Sequence, residues 1–244
     1  MAQSVKPDFE VLKDLDALSH EAARYVMLSA REAVLCAGRC TIALAGGSTP
    51  RRLYELLASD EYRGAMPWDE IEWYWSDERC VPPEDPRSNY RLAEEAMLTR
   101  VAVPPSRVHR VIGERRPPSR AAQSYEALVR DTIPDFTFDL IILGVGEDGH
   151  TASLFPGHPA LEERERLVVA VTGEKAREVP KRITMTFPLL DRARSLLVLA
   201  AGRSKQPVVD AVRHDLVAAA DRYPVARLRP AGHLTWLVDR EAVS

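Results

Sequence analysis

The chain has 244 residues, of which 45% are apolar and 28% charged, and it carries a formal net charge of −3. A chain of this length can bury a full hydrophobic core, and we expect one domain spanning residues 1–244. The slightly acidic balance, without a basic run interleaved with aromatic residues, disfavours nucleic acid as a partner. Because neither a secretory leader nor an apolar segment of about 18 residues is apparent, we expect a cytoplasmic protein with no membrane partner.

Helical and strand patterns alternate along the chain. The periodicity of apolar residues predicts helices at 19–36, 49–58, 88–98, 117–130 and 204–213. Apolar runs predict strands at 41–45, 71–75, 139–143, 167–171, 183–187, 196–200 and 234–238. Gly38 is expected to end the first helix, Thr49 to cap the second with Pro50 at its first position, and Ser88 to cap the third. Residues 77–87 are expected to form a Pro-rich loop.

This alternation predicts an α/β fold with a mainly parallel, doubly wound sheet flanked by helices. Ligands of such sheets bind at the carboxyl ends of the strands. The loops after Ala45, Trp75, Leu143 and Ala201 are therefore the places where chemistry is expected.

The first of these loops is Gly46-Gly47-Ser48-Thr49, between a predicted strand and a predicted helix. Backbone N–H groups, two hydroxyls and the positive end of the helix converge there, which suits a phosphate. A tight turn that needs glycine for its dihedrals, with Thr49 only as a cap, explains the same residues equally well. A serine nucleophile is disfavoured because Pro50 stands where the nucleophile elbow needs glycine.

The segment 144–149, GVGEDG, matches the dinucleotide-binding fingerprint. Pro156 and Gly157 soon interrupt any helix that the third glycine would have to open, so a nucleotide role is disfavoured. The glycines are better explained as shaping a loop that presents Asp148 and His150, a base and its orienting carboxylate, above the strand end.

Charged residues follow or begin three other predicted strands. Asp77, Glu78 and Arg79 come directly after the second strand, where a surface salt-bridge cluster is the simplest explanation. Arg182 begins a strand and Lys205 follows another. Together with the glycine turn they could surround a dianionic phosphate, with Arg182 making a forked contact and Lys205 acting as a point charge.

Cysteine usage gives no sign of a metal site. The spacing of Cys36 and Cys40 would suit half of a zinc site, but no second pair of Cys or His completes it. With Cys80 the count is odd, which also argues against a disulfide framework. We expect three free thiols that pack as small hydrophobes.

Five segments together resemble the 6-phosphogluconolactonase family, and they occur in matching order. They are residues 44–50, residues 75–82 with Ser-Asn-Tyr at 88–90, residues 144–157, and the segments around Arg182 and Lys205. The resemblance implies a fold like that of sugar-phosphate isomerases and CoA transferases. It also implies hydrolysis of 6-phospho-D-glucono-1,5-lactone to 6-phosphogluconate, the second step of the oxidative pentose phosphate pathway, without metal or cofactor.

The same resemblance assigns expected roles to individual residues. His150 would be the base that activates water, helped by Asp77, Asp148 and Arg79, with the division of labour among these three left open. The substrate phosphate would bind to six residues, namely Gly46, Gly47, Ser48, Thr49, Arg182 and Lys205.

Two other functions agree less well with these residues. Glucosamine-6-phosphate deaminase belongs to the same superfamily, but it has Asn-Glu-Pro after its Gly-His, where this chain has Leu154-Phe155-Pro156. Phe155 cannot transfer a proton, which disfavours deamination and isomerisation. A non-catalytic sugar-phosphate sensor is also disfavoured, because we expect no DNA-binding or effector segment at either end.

Overall fold

The computed structural model describes residues 6–101, 103–173 and 179–243. Its strands are β1 (Asp8–Leu12), β2 (Cys40–Leu44), β3 (Ile71–Trp75), β4 (Asp77–Arg79), β5 (Leu140–Gly144), β6 (Val168–Thr172), β7 (Lys181–Met185), β8 (Ser195–Ala200) and β9 (His233–Asp239). Its α-helices are α1 (Leu15–Ala37), α2 (Ser48–Leu57), α3 (Asn89–Ala93), α4 (Pro118–Thr132), α5 (Phe187–Leu190), α6 (Gln206–His214) and α7 (Leu216–Arg222). A π-helical segment, Glu94–Leu98, continues α3.

Six strands form one sheet in the order β1-β9-β8-β5-β2-β3, and every neighbouring pair is parallel. The central strands β2 and β5 are runs of buried apolar residues, as strands covered on both faces must be. Helices flank the sheet, so the predicted α/β class with a mainly parallel sheet is confirmed.

The longest helix, α1, shows how the sequence defines these elements. The Asp14 side chain accepts the N–H of Ala17 at 2.9 Å and caps its start. Gly38, with φ of 71°, ends it by donating its N–H to the carbonyl of Val34. Fully buried residues recur along one face, which packs toward the sheet; they include Leu18, Ala22, Val26 and Ala30.

A second, three-stranded antiparallel sheet has the order β4-β7-β6. The prediction that residues 77–87 form only a loop is therefore wrong, because residues 77–79 are β4. Three charged residues in a row do not resemble a strand, and their pairing with β7 comes from tertiary structure. The predicted strand at 183–187 begins two residues earlier, at Lys181, and α5 begins at Phe187 instead.

Two further elements, β1 and α7, were not predicted, and one predicted cap is wrong. Strand β1 lies at an edge of the large sheet and is largely exposed, and α7 is a short helix with one buried residue, Ala219. The N-cap of α2 is Gly47, not Thr49. Gly47 has φ of 108°, outside the helical region, so the helix starts at Ser48, and Pro50 occupies the third position of the first turn.

The order of the strands creates a crevice. From β2 the chain adds β3 on one side, whereas β5, β8 and β9 are added successively on the other side. The loops leaving β2 and β5 therefore diverge at the carboxyl edge of the sheet, where open α/β sheets bind their ligands. Among the described residues, no helix is long and apolar enough to cross a membrane.

Candidate active site

A cleft of about 250 Å³ lies at this carboxyl edge. Of the ten side chains and glycines predicted for the site, nine line it: Gly46, Gly47, Ser48, Thr49, Asp77, Arg79, His150, Arg182 and Lys205. They come from the ends of four strands of the large sheet and from the small sheet. The tenth residue, Asp148, contacts His150 directly.

The glycine turn enters this cleft at the start of α2. Ser48 and Thr49 occupy the first two helical positions, whose N–H groups have no acceptor within a helix. Neither hydroxyl caps the helix, since α2 has no side-chain cap, so the explanation of Thr49 as only a cap is wrong. The turn thus offers the positive end of a helix and unused donors to the cleft.

The charges around the cleft favour an anionic ligand. Its lining includes three basic side chains, Arg79, Arg182 and Lys205, and one carboxylate, Asp77. In the described part of the chain, Lys205 forms no ion pair. Arg182 is held in place: its Nε donates to the carbonyl of Val179 at 3.1 Å, and its Nη1 lies 3.9 Å from Oδ2 of Asp77.

His150 and Asp148 form a close pair on the loop after β5. Nδ1 of His150 lies 2.6 Å from Oδ1 of Asp148, and the same oxygen accepts the backbone N–H of His150 at 3.1 Å. Because a carboxylate only accepts hydrogen bonds, the ring proton sits on Nδ1, and Nε2 keeps its lone pair. Burial alone would raise the pKa of Asp148, but the hydrogen bond and charge of His150 outweigh burial and lower it.

Gly146 allows the imidazole to take this position. A Cβ at residue 146 would lie 2.1 Å from Nδ1 of His150 and 2.7 Å from Oδ1 of Asp148. The ring therefore packs directly over the backbone of Gly146, an approach that excludes any side chain. The glycines that resemble a nucleotide-binding fingerprint serve here to make room for His150.

Phe155 packs against both His150 and Arg182. Its ring centroid lies 4.8 Å from that of His150, and Cζ of Arg182 lies 5.7 Å from the Phe155 centroid. Phe155 is 5% exposed. An apolar ring thus lies against both the imidazole and the guanidinium and brings no group that can exchange a proton.

The structure gives Asp77 different partners from those expected. It is 5% exposed; Asn89 donates Nδ2–H to Oδ1 at 3.0 Å, and Ser153 donates Oγ–H to Oδ2 at 2.5 Å. The described contacts of the imidazole are to Asp148 rather than to Asp77, so Asp148 is the residue placed to orient it. Sequence reasoning assigned no role to Asn89 or Ser153, because a lone polar residue in a loop carries no signal of a distant partner.

Glu78 and Arg79 differ in function despite being neighbours. Glu78 is 3% exposed and accepts hydrogen bonds from three backbone N–H groups and from the hydroxyl of Ser88. It anchors the start of α3, and its burial raises its pKa. Arg79 donates Nη1–H to the carbonyl of Arg87 at 2.6 Å, and no other hydrogen bond holds its guanidinium within the described residues. The expectation that residues 77–79 form a surface salt-bridge cluster is therefore wrong.

Among the described residues, side chains that could ligate a metal do not cluster in this cleft. In the ranges that the structure describes, no group of three or more His, Cys, Asp or Glu side chains is arranged to hold a metal ion. Cys40 and Cys80 are buried, Cys36 is exposed, and all three are free.

Comparisons with known proteins identify relatives of the whole chain. The model of the family "Glucosamine-6-phosphate isomerases/6-phosphogluconolactonase" matches residues 13–236. The chain is 40% identical to a 6-phosphogluconolactonase of Synechocystis over 97% of each chain, and 38% identical to one of Nostoc over 98% of each. It is also similar to the solved structure of 6-phosphogluconolactonase from Thermotoga maritima, with a TM-score of 0.84, 28% identity, and coverage of 96% of this chain and all of the other.

Proposed function

The chain belongs to the glucosamine-6-phosphate isomerase/6-phosphogluconolactonase family, and from this premise we propose how it acts as a lactone hydrolase. Its reaction is the hydrolysis of 6-phospho-D-glucono-1,5-lactone to 6-phosphogluconate, the second step of the oxidative pentose phosphate pathway. The observation that carries the proposed mechanism is the His150–Asp148 pair, 2.6 Å apart, in a cleft whose lining carries an excess of positive charge.

The phosphate of the substrate binds at the start of α2. The N–H groups of Ser48 and Thr49 and their hydroxyls donate to its oxygens, and the positive end of the helix favours its charge. Lys205 and Arg182, which also line the cleft, supply the counter-charges. Binding of this remote group positions the lactone carbonyl at the chemical centre, so that the binding energy contributes to catalysis.

The hydrolytic step begins with His150. Its Nε2 takes a proton from water while the water oxygen attacks the carbonyl carbon of the lactone. Asp148 holds the proton of the ring on Nδ1 and stabilises the imidazolium that forms. When the tetrahedral intermediate collapses, the bond from the carbonyl carbon to the ring oxygen breaks, and His150 returns the proton to that oxygen.

Arg79 and Asp77 complete the proposed site. Arg79 stabilises the negative oxygen that develops from the carbonyl, since only one of its nitrogens is held by a described protein group. Asp77 organises the wall of the cleft through Asn89, Ser153 and Arg182. We assign it this positioning role because its carboxylate oxygens are occupied by those partners.

Deamination and ketose–aldose isomerisation fit this cleft poorly. Both reactions move protons between substrate atoms and need an additional proton-transfer group. The motif resemblance puts Phe155 where the deaminase has its glutamate, and Phe155 packs on His150 at 4.8 Å between ring centroids.

A coupled assay tests the proposal. Glucose-6-phosphate dehydrogenase generates the lactone in place, and acid release is followed above the spontaneous rate, with and without the protein. We expect a protein-dependent rate that His150→Ala abolishes. Release of ammonia from glucosamine 6-phosphate, with no effect on the lactone, would contradict the proposal.

The cellular location and the binding partners are a further part of the proposal. We propose a cytoplasmic location, with a small sugar-phosphate lactone as the ligand and neither nucleic acid nor membrane as a partner. The net charge of −3 supports this, since a nucleic-acid or anionic membrane surface attracts basic proteins.

A further inference from the structure

One buried carboxylate outside the cleft holds the turn that carries Lys205. Asp239, the last residue of β9, is 5% exposed and is not among the residues that line the cleft. Both of its carboxylate oxygens lie 3.0 Å from the backbone nitrogen of Gly202, which donates to them. Oδ1 also accepts the N–H of Ala242 at 3.0 Å. The carboxylate thus ties the turn after β8 to the end of β9.

The backbone carries this restraint on to Lys205. Gly202, with φ of 89°, precedes the 3-10 turn Arg203–Lys205. Its carbonyl accepts the N–H of Lys205 at 3.0 Å. Gly202 is therefore fixed on both sides, through its N–H by Asp239 and through its carbonyl by Lys205. Lys205 then caps the start of α6, with its side chain on the cleft.

A carboxylate at position 239 is well suited to hold the N–H of Gly202. A buried carboxylate costs free energy unless donors surround it, and here the donors are two backbone N–H groups. Charge-assisted hydrogen bonds of this kind are stronger than neutral ones. Lysine has a flexible stem, and Lys205 has no ion pair within the described residues to fix it, so the position of its Cα decides where its ammonium can reach.

We propose that Asp239 is a positioning residue for phosphate recognition, which acts through Gly202 to hold Lys205 at the cleft. This inference rests on the proposed function, in which Lys205 binds the phosphate of the lactone. Asp239 does not touch the substrate, and its removal leaves His150, Asp148 and Arg79 in place.

A double-mutant cycle on the full chain tests this role. In Asp239→Asn the negative charge is lost, and one of the two oxygens that face the N–H of Gly202 becomes an amide nitrogen, which cannot accept it, while the volume stays nearly the same. We expect KM for the phosphorylated lactone to rise about tenfold, the effect of losing one charged hydrogen bond, with kcat within about twofold. Because Lys205→Ala removes the group that Asp239 positions, Asp239→Asn should raise KM by less than about twofold in that background.

Asp139→Asn is the matched control. Asp139 also accepts a backbone N–H and a hydroxyl, both from Thr41, but it precedes β5 at the opposite edge of the sheet. It should change neither KM nor kcat. If Asp239→Asn does not yield folded protein, Asp239→Glu, which keeps the charge and displaces it, takes its place in the cycle.

The possible results separate the two proposals. An equal rise in KM in both backgrounds, or a fall in kcat at unchanged KM, would overturn the role of Asp239 while leaving the lactonase function intact. If Lys205→Ala itself leaves KM unchanged, the phosphate site of the proposed function fails, and the role of Asp239 fails with it.

Discussion

The charge of Asp148 provides the sharpest test of the proposed chemistry. Asp148→Asn keeps an oxygen that can accept both the backbone N–H and the Nδ1–H of His150, which Oδ1 accepts at 3.1 and 2.6 Å. The substitution therefore removes the negative charge while preserving the shape of the loop. Any loss of activity then measures how much the carboxylate stabilises the imidazolium.

The size of the loss follows from the exposure of the pair. The side chains of His150 and Asp148 are 31% and 33% exposed, so solvent screens their interaction in part. The substitution replaces a hydrogen bond to a charged group, which contributes about 1.5–3 kcal/mol, with a neutral one of about 0.5–1.5 kcal/mol, so about 1–1.5 kcal/mol is lost. At about 1.4 kcal/mol for each factor of ten, kcat should fall about 5- to 12-fold. KM should change little, because the phosphate contacts lie elsewhere in the cleft.

The assay is lactone hydrolysis at several substrate concentrations, corrected for the spontaneous rate, so that kcat and KM are separated. Glu147→Gln is the matched control, since it removes the same charge from the neighbouring, exposed position of the loop. We expect this control to keep full activity. A kcat for Asp148→Asn within about twofold of the unaltered protein would refute the reasoning, because so small a loss is below the difference between a charged and a neutral hydrogen bond.

Three further predictions use other residues. Gly146→Ala should lower kcat at least about tenfold, because its Cβ would stand 2.1 Å from Nδ1 of His150; Gly64→Ala, with open space around it, should have no effect in the same assay. Lys205→Ala should raise KM for the phosphorylated lactone about tenfold at nearly constant kcat, and an unchanged KM would remove Lys205 from the phosphate site. Burial raises the pKa of Asp191 to about 6. The folded protein therefore holds this proton more tightly than the unfolded chain does. The resulting stabilisation is fully present below pH about 4 and is lost as the pH rises through 6. Asp191→Asn should therefore raise Tm at pH 7.5 and change it little at pH 4, and equal shifts at both pH values in thermal unfolding would contradict this.

The sequence predicts the central strands of the large sheet well because they are buried on both faces. The segments around Ile42 and Ile142 are largely apolar runs, and such runs in alternation with amphipathic helices lead to a parallel sheet. Strand β4 escaped prediction because Asp-Glu-Arg becomes a strand only through its pairing with β7. Local sequence cannot contain that information.

The sequence predicts contacts between site residues that are neighbours in the chain. It does not predict hydrogen bonds between residues that only the folded structure brings together. Asp148 and His150 lie two residues apart, and the glycine turn precedes a helix directly, so both are visible in the sequence. Ser153 and Asp239 are not, because each acts on a residue far away, Asp77 and Gly202 respectively. Only the packing of strands from different parts of the chain creates those contacts.

The parallel arrangement of β2 and β5 also bears on how activity is gained during folding. A Cβ on Gly144 would be 3.8 Å from the carbonyl oxygen of Gly46, although the two residues are distant in the sequence. Contacts of such high sequence separation form late, after the entropy of closing a long loop has been overcome. The glycine turn at 46–49 and the loop that carries His150 therefore come together only when β2 and β5 have paired. Recovery of catalytic activity during refolding should report that pairing rather than the earlier formation of helices.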